Sequence, residues 1–264
     1  MIKFFIVIIS LLISSCASVV NIPEPEEAKP IVTRSNNSEF FDLAPPSQGA
    51  IVVAVYGFTD KTGQRKPSDK LANISYAVTQ GAETMLIEAL KTVGNGKWFQ
   101  VVERVGLDNL TKERQIIRQA RESANDDRQL KPMLFAGVII EGAIVAYDSN
   151  VLTGGAGARY LGIGPYTQYR QDVVTVTLRV VSTQTGEVLL STTVTKTIVS
   201  SSNNVTYFRF FELGTTALEA EIGYSVNEPV NYAVRTAIEK GVLELIKEGD
   251  QKKYWTISKK ETKE

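Results

Sequence analysis

Residues 147–181 constrain this chain more than any other stretch. In the second arm of the stretch Val174, Val176, Leu178 and Val180 alternate with Val173, Thr175, Thr177 and Arg179. Strict alternation places the two sets on opposite faces of a β-strand, one apolar and one polar. Ahead of that arm lie Gly154, Gly155, Gly157, Gly162 and Gly164, with Arg159 and Tyr160 among them. Residues 188–211 repeat the theme, and their polar run Ser200, Ser201, Ser202, Asn203 and Asn204 reads as the turn of a second hairpin. Each hairpin needs something to cover it. An isolated hairpin is marginal in water, and a long open edge invites aggregation.

The surrounding pattern predicts a body into which the hairpins are inserted. Ile51, Val52, Val53, Ala54, Val55 and Tyr56 form a buried strand by composition. Met85, Leu86, Ala89, Leu90 and Val93 recur at helical spacing, and Gly94 and Gly96 stop that helix. Trp98 to Val102 gives a short strand. Leu107, Leu110, Ile117 and Ala120 mark one face of a second helix, whose other face carries Lys112, Glu113, Arg114 and Arg118. Residues 134–147 read as another buried strand feeding the first hairpin. Asn227, Glu228 and Pro229 open a last helix, with Val230, Ala233, Val234, Ala237, Ile238, Val242, Leu245 and Ile246 on its core face. Strands and helices thus alternate in one α/β (α+β) body over residues 50–264, with the hairpins at about residues 149–180 and 187–211.

The N-terminus reads as an export signal. Lys3 precedes an apolar run, and Ile13, Ser14 and Ser15 lead into Cys16, the one cysteine of the chain. Small residues before a cysteine suit a bacterial lipoprotein signal peptidase, which leaves a diacylglycerol on the Cys16 thioether; a simple secretory signal followed by an ordinary cysteine is the alternative. Residues 1–15 are therefore expected to be a signal peptide. Residues 16–49, rich in Pro, Glu, Ser and Asn, are expected to form a lipidated linker that cannot bury enough apolar area to fold alone. Phe40, Phe41 and Leu43 are its candidate docking points. Ala17 is not an acidic retention signal, which favours the outer membrane.

Several function classes are disfavoured. The chain balances 29 Lys and Arg against 29 Asp and Glu, so it offers no basic surface for nucleic acid. It contains no histidine, which removes the commonest general base and most zinc sites. Gly154 to Gly157 lack the Gly-Lys-Ser/Thr ending of a phosphate loop. Asp126 and Asp127 read as solvated surface. The sequence calls for no catalytic residue, metal or cofactor.

Each arm is long enough to cross a bilayer as a tilted strand, which takes ~9–11 residues. Alternation alone leaves a soluble sandwich with one solvated face equally open. If the arms cross, four strands cannot close a barrel, since the smallest have about eight, and several copies must combine.

Residues 149–151, 154–164 and 167–169 resemble the first membrane hairpin of the CsgG family of curli secretion channel lipoproteins. Further matching stretches are Asp60, Thr62, Gly63, Gln64, Lys66, Pro67; Glu113, Arg114, Ile116, Ile117, Arg118; Leu178, Arg179, Val180, Val181; Thr185, Gly186, Glu187; and Asn227, Glu228, Pro229, Val230. The resemblance implies a nonameric ring of identical subunits, a periplasmic α/β body and one large transmembrane β-barrel to which each copy lends two hairpins, Val174, Val176 and Leu178 among their residues. It implies passage of unfolded curlin-type subunits without a nucleotide motor, with periplasmic and outer-membrane curli accessory proteins and membrane lipid as the other partners. Family channels narrow at a loop carrying a tyrosine, an asparagine and a phenylalanine. Here that loop is residues 66–76, one residue longer: Asn73 matches, Ile74 stands at the phenylalanine position, and the tyrosine position falls near Ser68 or Asp69. An envelope lipoprotein that binds partners through its body, without a pore, is the competing reading.

Overall fold

The computed structural model describes residues 37–64, 77–150, 163–210, 217–227 and 230–258. Strands β1 (Ile51–Ala54), β2 (Phe58–Asp60), β3 (Phe99–Val102), β4 (Val138–Asn150), β5 (Ile163–Ser182), β6 (Val188–Phe210) and β7 (Ala217–Asn227) form one mixed sheet. Their order is β3-β1-β4-β5-β6-β7, with β2 beside β4. β1 pairs in parallel with β3 and β4, as β2 does with β4, while β4 to β7 run antiparallel in sequence. Four helices complete the described chain: α1 (Ser38–Phe41), α2 (Ala82–Gly96), α3 (Leu107–Ser123) and α4 (Val230–Gln251). The mixed α/β body expected from the alternating pattern is what forms.

Helices α2 and α4 pack on each other, and α4 covers β5 and β6 on one face of the sheet. The apolar spacing read in the sequence is the reason. Leu86, Leu90 and Val93 of α2 and Val234, Ile238, Val242 and Ile246 of α4 are all buried, beside Ile140 and Ile144 of β4. Each such side chain contributes about 1.5–3 kcal/mol by leaving water. Gly241 lets α4 approach closely, because a Cβ there would fall 2.7 Å from Leu178 Cδ1. An ion pair from Arg235 to Glu88, 2.9 Å long, ties α4 to α2. Gly94 ends the regular part of α2 with φ 57°, in the left-handed region that favours glycine, and a Cβ there would meet the Trp98 ring at 2.6 Å.

Three expectations change. Residues 37–47, assigned to the linker, belong to the body: Phe40 is fully buried, the Trp98 indole donates to Ala44 O across 2.8 Å, and Ser47 N donates to Thr256 O across 2.8 Å. β4 starts at Val138 rather than near Leu134, and Leu134 and Phe135 are exposed. Ser200 to Asn204 are not a turn. They lie inside the continuous β6, paired on one side with Tyr166 to Arg170 and on the other with Gly223 to Asn227. The partner of β6 is therefore β7, a second hairpin running to residue 227. Polar composition resembled a turn because serine and asparagine favour turns, yet a strand flanked on both sides holds them by backbone pairing alone.

Candidate functional site

The two faces of the sheet differ chemically, and the alternation of β5 is the cause. Val174, Val176, Leu178 and Val180 are fully buried in the core beneath α4. Val174, Val176 and Leu178, expected among the membrane-crossing residues of the hairpins, are covered by α4 instead. On the open face the alternate residues pair across strands. Thr175 and Thr195 hydroxyls lie 3.2 Å apart, those of Thr177 and Thr193 3.0 Å apart, and Arg179 donates twice to Glu141 Oε2 at 2.6 and 3.0 Å. A shallow cavity of about 350 Å³ opens there, lined by Thr59, Lys61, Glu141, Ala143, Thr177 and Arg179.

The strands outrun the helix. The buried positions described along β5 run from Val180 to Asp172, and strand pairing continues past them: β5 reaches Ile163, β6 reaches Phe210, and β7 pairs with β6 from Ser200 to Phe210. At the point of departure the Tyr147 hydroxyl donates to Asp172 Oδ2 across 3.1 Å, with both residues buried.

A second construction surrounds residues 65–76. Asp60 Oδ1 accepts from Thr62 N and Oγ1 at 2.8 and 2.7 Å, while its Oδ2 accepts from Gln80 Nε2 at 3.0 Å. Ala77 N donates to Gln64 O at 3.0 Å. The two ends of the segment are thus held together as a neck. Asp60 and Gln80 were not foreseen as its clamp. An Asp two residues before a Thr is a local turn signal, but nothing in the sequence pairs it with Gln80.

The other candidates fall elsewhere. Cys16, Ser68, Asn73, Ile74, Gly154, Gly155, Gly157, Arg159 and Tyr160 lie outside the described residues. Helix α3 forms as expected, but its apolar face holds no buried residue. Three arginines instead fasten the chain that follows it: Arg104 donates to Leu134 O (2.9 Å), Arg114 to Lys131 O (2.7 Å) and Arg121 to Arg128 O (2.8 Å). Nearby, Arg128 hydrogen-bonds Asp126 and holds its carboxyl below the usual range. Among the described residues no group of three or more His, Cys, Asp or Glu converges as a metal site, and no helix is long and apolar enough to cross a membrane.

Comparison with known proteins adds a decisive finding. The family model described as "Curli production assembly/transport component CsgG" matches residues 36–264. The chain belongs to the CsgG family. A CsgG family member of that description from Escherichia coli (strain K12) is 40% identical over 263 residues, covering 98% of this chain and 92% of the relative. One from Salmonella typhimurium is 41% identical over the same length and shares. Among solved structures, a PelC dodecamer from Paraburkholderia phytofirmans matches with a TM-score of 0.31 and 14% identity, over 77% of this chain and 93% of that one. A likeness this distant carries no argument.

Proposed function

We propose that this chain is a subunit of a curli secretion channel: a lipoprotein anchored at Cys16 in the outer membrane, whose copies form a ring and export unfolded curlin-type chains without a nucleotide motor. The observation that carries this is the length of the strands. β5 has 20 residues and β6 has 23, whereas strands of globular proteins usually have 3–10. The inner half of each is explained by α4. The outer part, residues 163–171 and 200–210, matches the ~9–11 residues of a tilted membrane strand. β7 adds a further arm, and the family of the chain is one of curli assembly and transport components.

The mechanism follows from this arrangement. Too few strands per copy reach the membrane to close a barrel, so each copy's outer arms pair with its neighbour's, nine copies being the number the family resemblance implies. Residues 65–76, held at their neck by Asp60, form the constriction, with Asn73 and Ile74 as stacked rings and Ser68 near them. A ring of amides offers hydrogen bonds to a passing backbone, and a ring of branched apolar residues is a collar that dewets. An extended chain slides through while folded cargo does not. Single-channel recording on the purified protein in a bilayer tests the reading: discrete large conductances are expected, raised by Ile74→Ala with the oligomer intact. A protein that inserts as a ring but conducts nothing overturns it in favour of a binding scaffold.

A further inference from the structure

A buried polar pair, Tyr147 and Asp172, joins β4 to β5 at the last buried position described along β5. On the covered face the β5 row reads Val180, Leu178, Val176, Val174 and then Asp172, all buried, with Asp172 only 5% exposed. The β4 row opposite reads Ile140, Gly142, Ile144 and Tyr147. Alternation of faces alone does not exclude every slip. A slip of one residue inverts the faces and is excluded, but a slip of two returns every side chain to its own face. Between β5 and β6 the tight turn decides, since Ser182 N donates to Glu187 O and Gly186 N to Ser182 O, each at 2.9 Å. The connection between β4 and β5, residues 151–162, lies outside the described residues.

Tyr147 stands opposite Val174, and its hydroxyl reaches one pair along to Asp172 Oδ2 at 3.1 Å. Lys196 of β6 also stands opposite Val174, so polar groups cross three strands diagonally on this one face. We propose that the Tyr147–Asp172 pair is the register lock of the arms. A two-residue slip in one direction carries Asp172 into the dry position of Val174. A slip in the other direction puts Val174 in front of the Tyr147 hydroxyl. Either way a buried polar group loses a hydrogen-bond partner, the loss that packing cannot relax. Deeper in the body Gly142 makes room for Leu178, and a bulge lies between Ile144 and Ala146. These favour the same register, but through volume mismatches to which cores partly adapt. Resting on the channel reading, the lock has a purpose: copies closing into one barrel must present strands of one stagger, because strand number, tilt and shear are linked.

Paired cysteines in the full chain read the register directly. Asp148 faces Val173 on the open side, so Asp148→Cys with Val173→Cys reports the native register. Asp148→Cys with Thr175→Cys, or with Gln171→Cys, reports the two slips, since a disulfide requires Cβ atoms about 3.5–4.5 Å apart. In an Asp172→Val background a slipped crosslink should appear at the expense of the native one, and Tyr147→Phe should do the same. Asp172→Asn, whose carbonyl oxygen still accepts, should keep the native crosslink alone. If Asp172→Val does not fold, Tyr147→Phe, which removes one oxygen, decides. Native crosslinks alone in the folded variants overturn the lock. No conductance enters this measurement, so a failed channel reading and a failed lock are told apart.

Discussion

Gln80 Nε2 donates to Asp60 Oδ2 across 3.0 Å, joining the two flanks of residues 65–76 by a single side-chain bridge. The other carboxylate oxygen, Oδ1, is occupied by Thr62, whose N and Oγ1 both donate to it. One side chain therefore fixes where the segment leaves the body and where it returns. Functional loops on rigid scaffolds gain their aim from such anchors.

Asp60→Ala removes the clamp without opening the core, because the neck is only partly buried. The stability cost should stay near 0.5–1.5 kcal/mol for each lost bond. The channel current should become noisier and less uniform, because the constriction loses its fixed base. Thermal unfolding and single-channel recording on one preparation check this. Wild-type current noise in a folded Asp60→Ala ring would show that the neck does not aim the loop.

Val176→Lys and Thr175→Lys separate core from lipid. Val176 is fully buried under α4, whereas Thr175 lies on the open face. An unpaired charge in the core costs roughly 3–5 kcal/mol, while a surface substitution stays within about 0.5 kcal/mol. The contrast should appear in denaturant unfolding of a water-soluble Cys16→Ser chain, with no membrane present. Should the two variants differ only after membrane insertion, the row belongs to lipid after all.

How far the sequence foretold this depends on what each residue senses. The alternation from Val173 to Val180 is a local property of one strand, and it predicted the two faces correctly. Which partner covers the apolar face is not local. α4 and a bilayer both ask for Val, Leu and Val, and the helix lies more than fifty residues downstream. Ser200 to Asn204 misled for a related reason: turn propensity is intrinsic to serine and asparagine, while β6 is held by neighbours on both sides. The neck was visible only in part, as the Asp60–Thr62 spacing. α3 forms where the spacing of Leu107, Leu110 and Ile117 placed it, but no element among the described residues buries that face.

The clasp between α1 and α4 should depend on pH in a defined sense. Lys247 hydrogen-bonds Glu39 at 2.5 Å and holds its carboxyl below the ordinary 4.5, while Glu39 raises the Lys247 ammonium above the ordinary 10.5. A lowered carboxylate stabilises the fold above its unfolded value, and the contribution is lost as pH falls through the folded value. For the raised lysine the contribution is full below 10.5 and is lost only as pH rises through its folded value. Residues 37–47 should therefore become protease-sensitive as the pH drops below 4.5, and Lys247→Met should be sensitive at neutral pH already. A Lys247→Met chain as resistant as wild type at neutral pH would remove the ion pair from the account.

Gly249→Ala sets two effects of opposite sign against each other. Gly249 lies in α4, where alanine is the better helix former by about 0.8–1 kcal/mol. Propensity alone therefore predicts a more stable protein. Yet a Cβ at Gly249 would fall 2.1 Å from Trp255 Cζ2 and 2.2 Å from Cε2. The indole has nowhere to retreat: its N–H donates to Ile246 O across 2.7 Å, and its ring stands edge-on to Trp98 at 6.5 Å. Overpacking of this kind typically costs 1–3 kcal/mol, so the clash wins and the net effect is destabilising. The damage should spread along the chain. Ser258 N donates to Pro45 O and Ser47 N to Thr256 O, so displacing Trp255 also loosens the segment through which the linker enters the body. Tryptophan fluorescence should shift to the red, and residues 37–47 should open to protease. The same substitution in a Trp255→Ala background should instead stabilise, because only propensity then remains, and that change of sign is the coupling a double-mutant cycle measures. If Gly249→Ala stabilises with Trp255 in place, the close approach of indole and helix is not what glycine is there to permit.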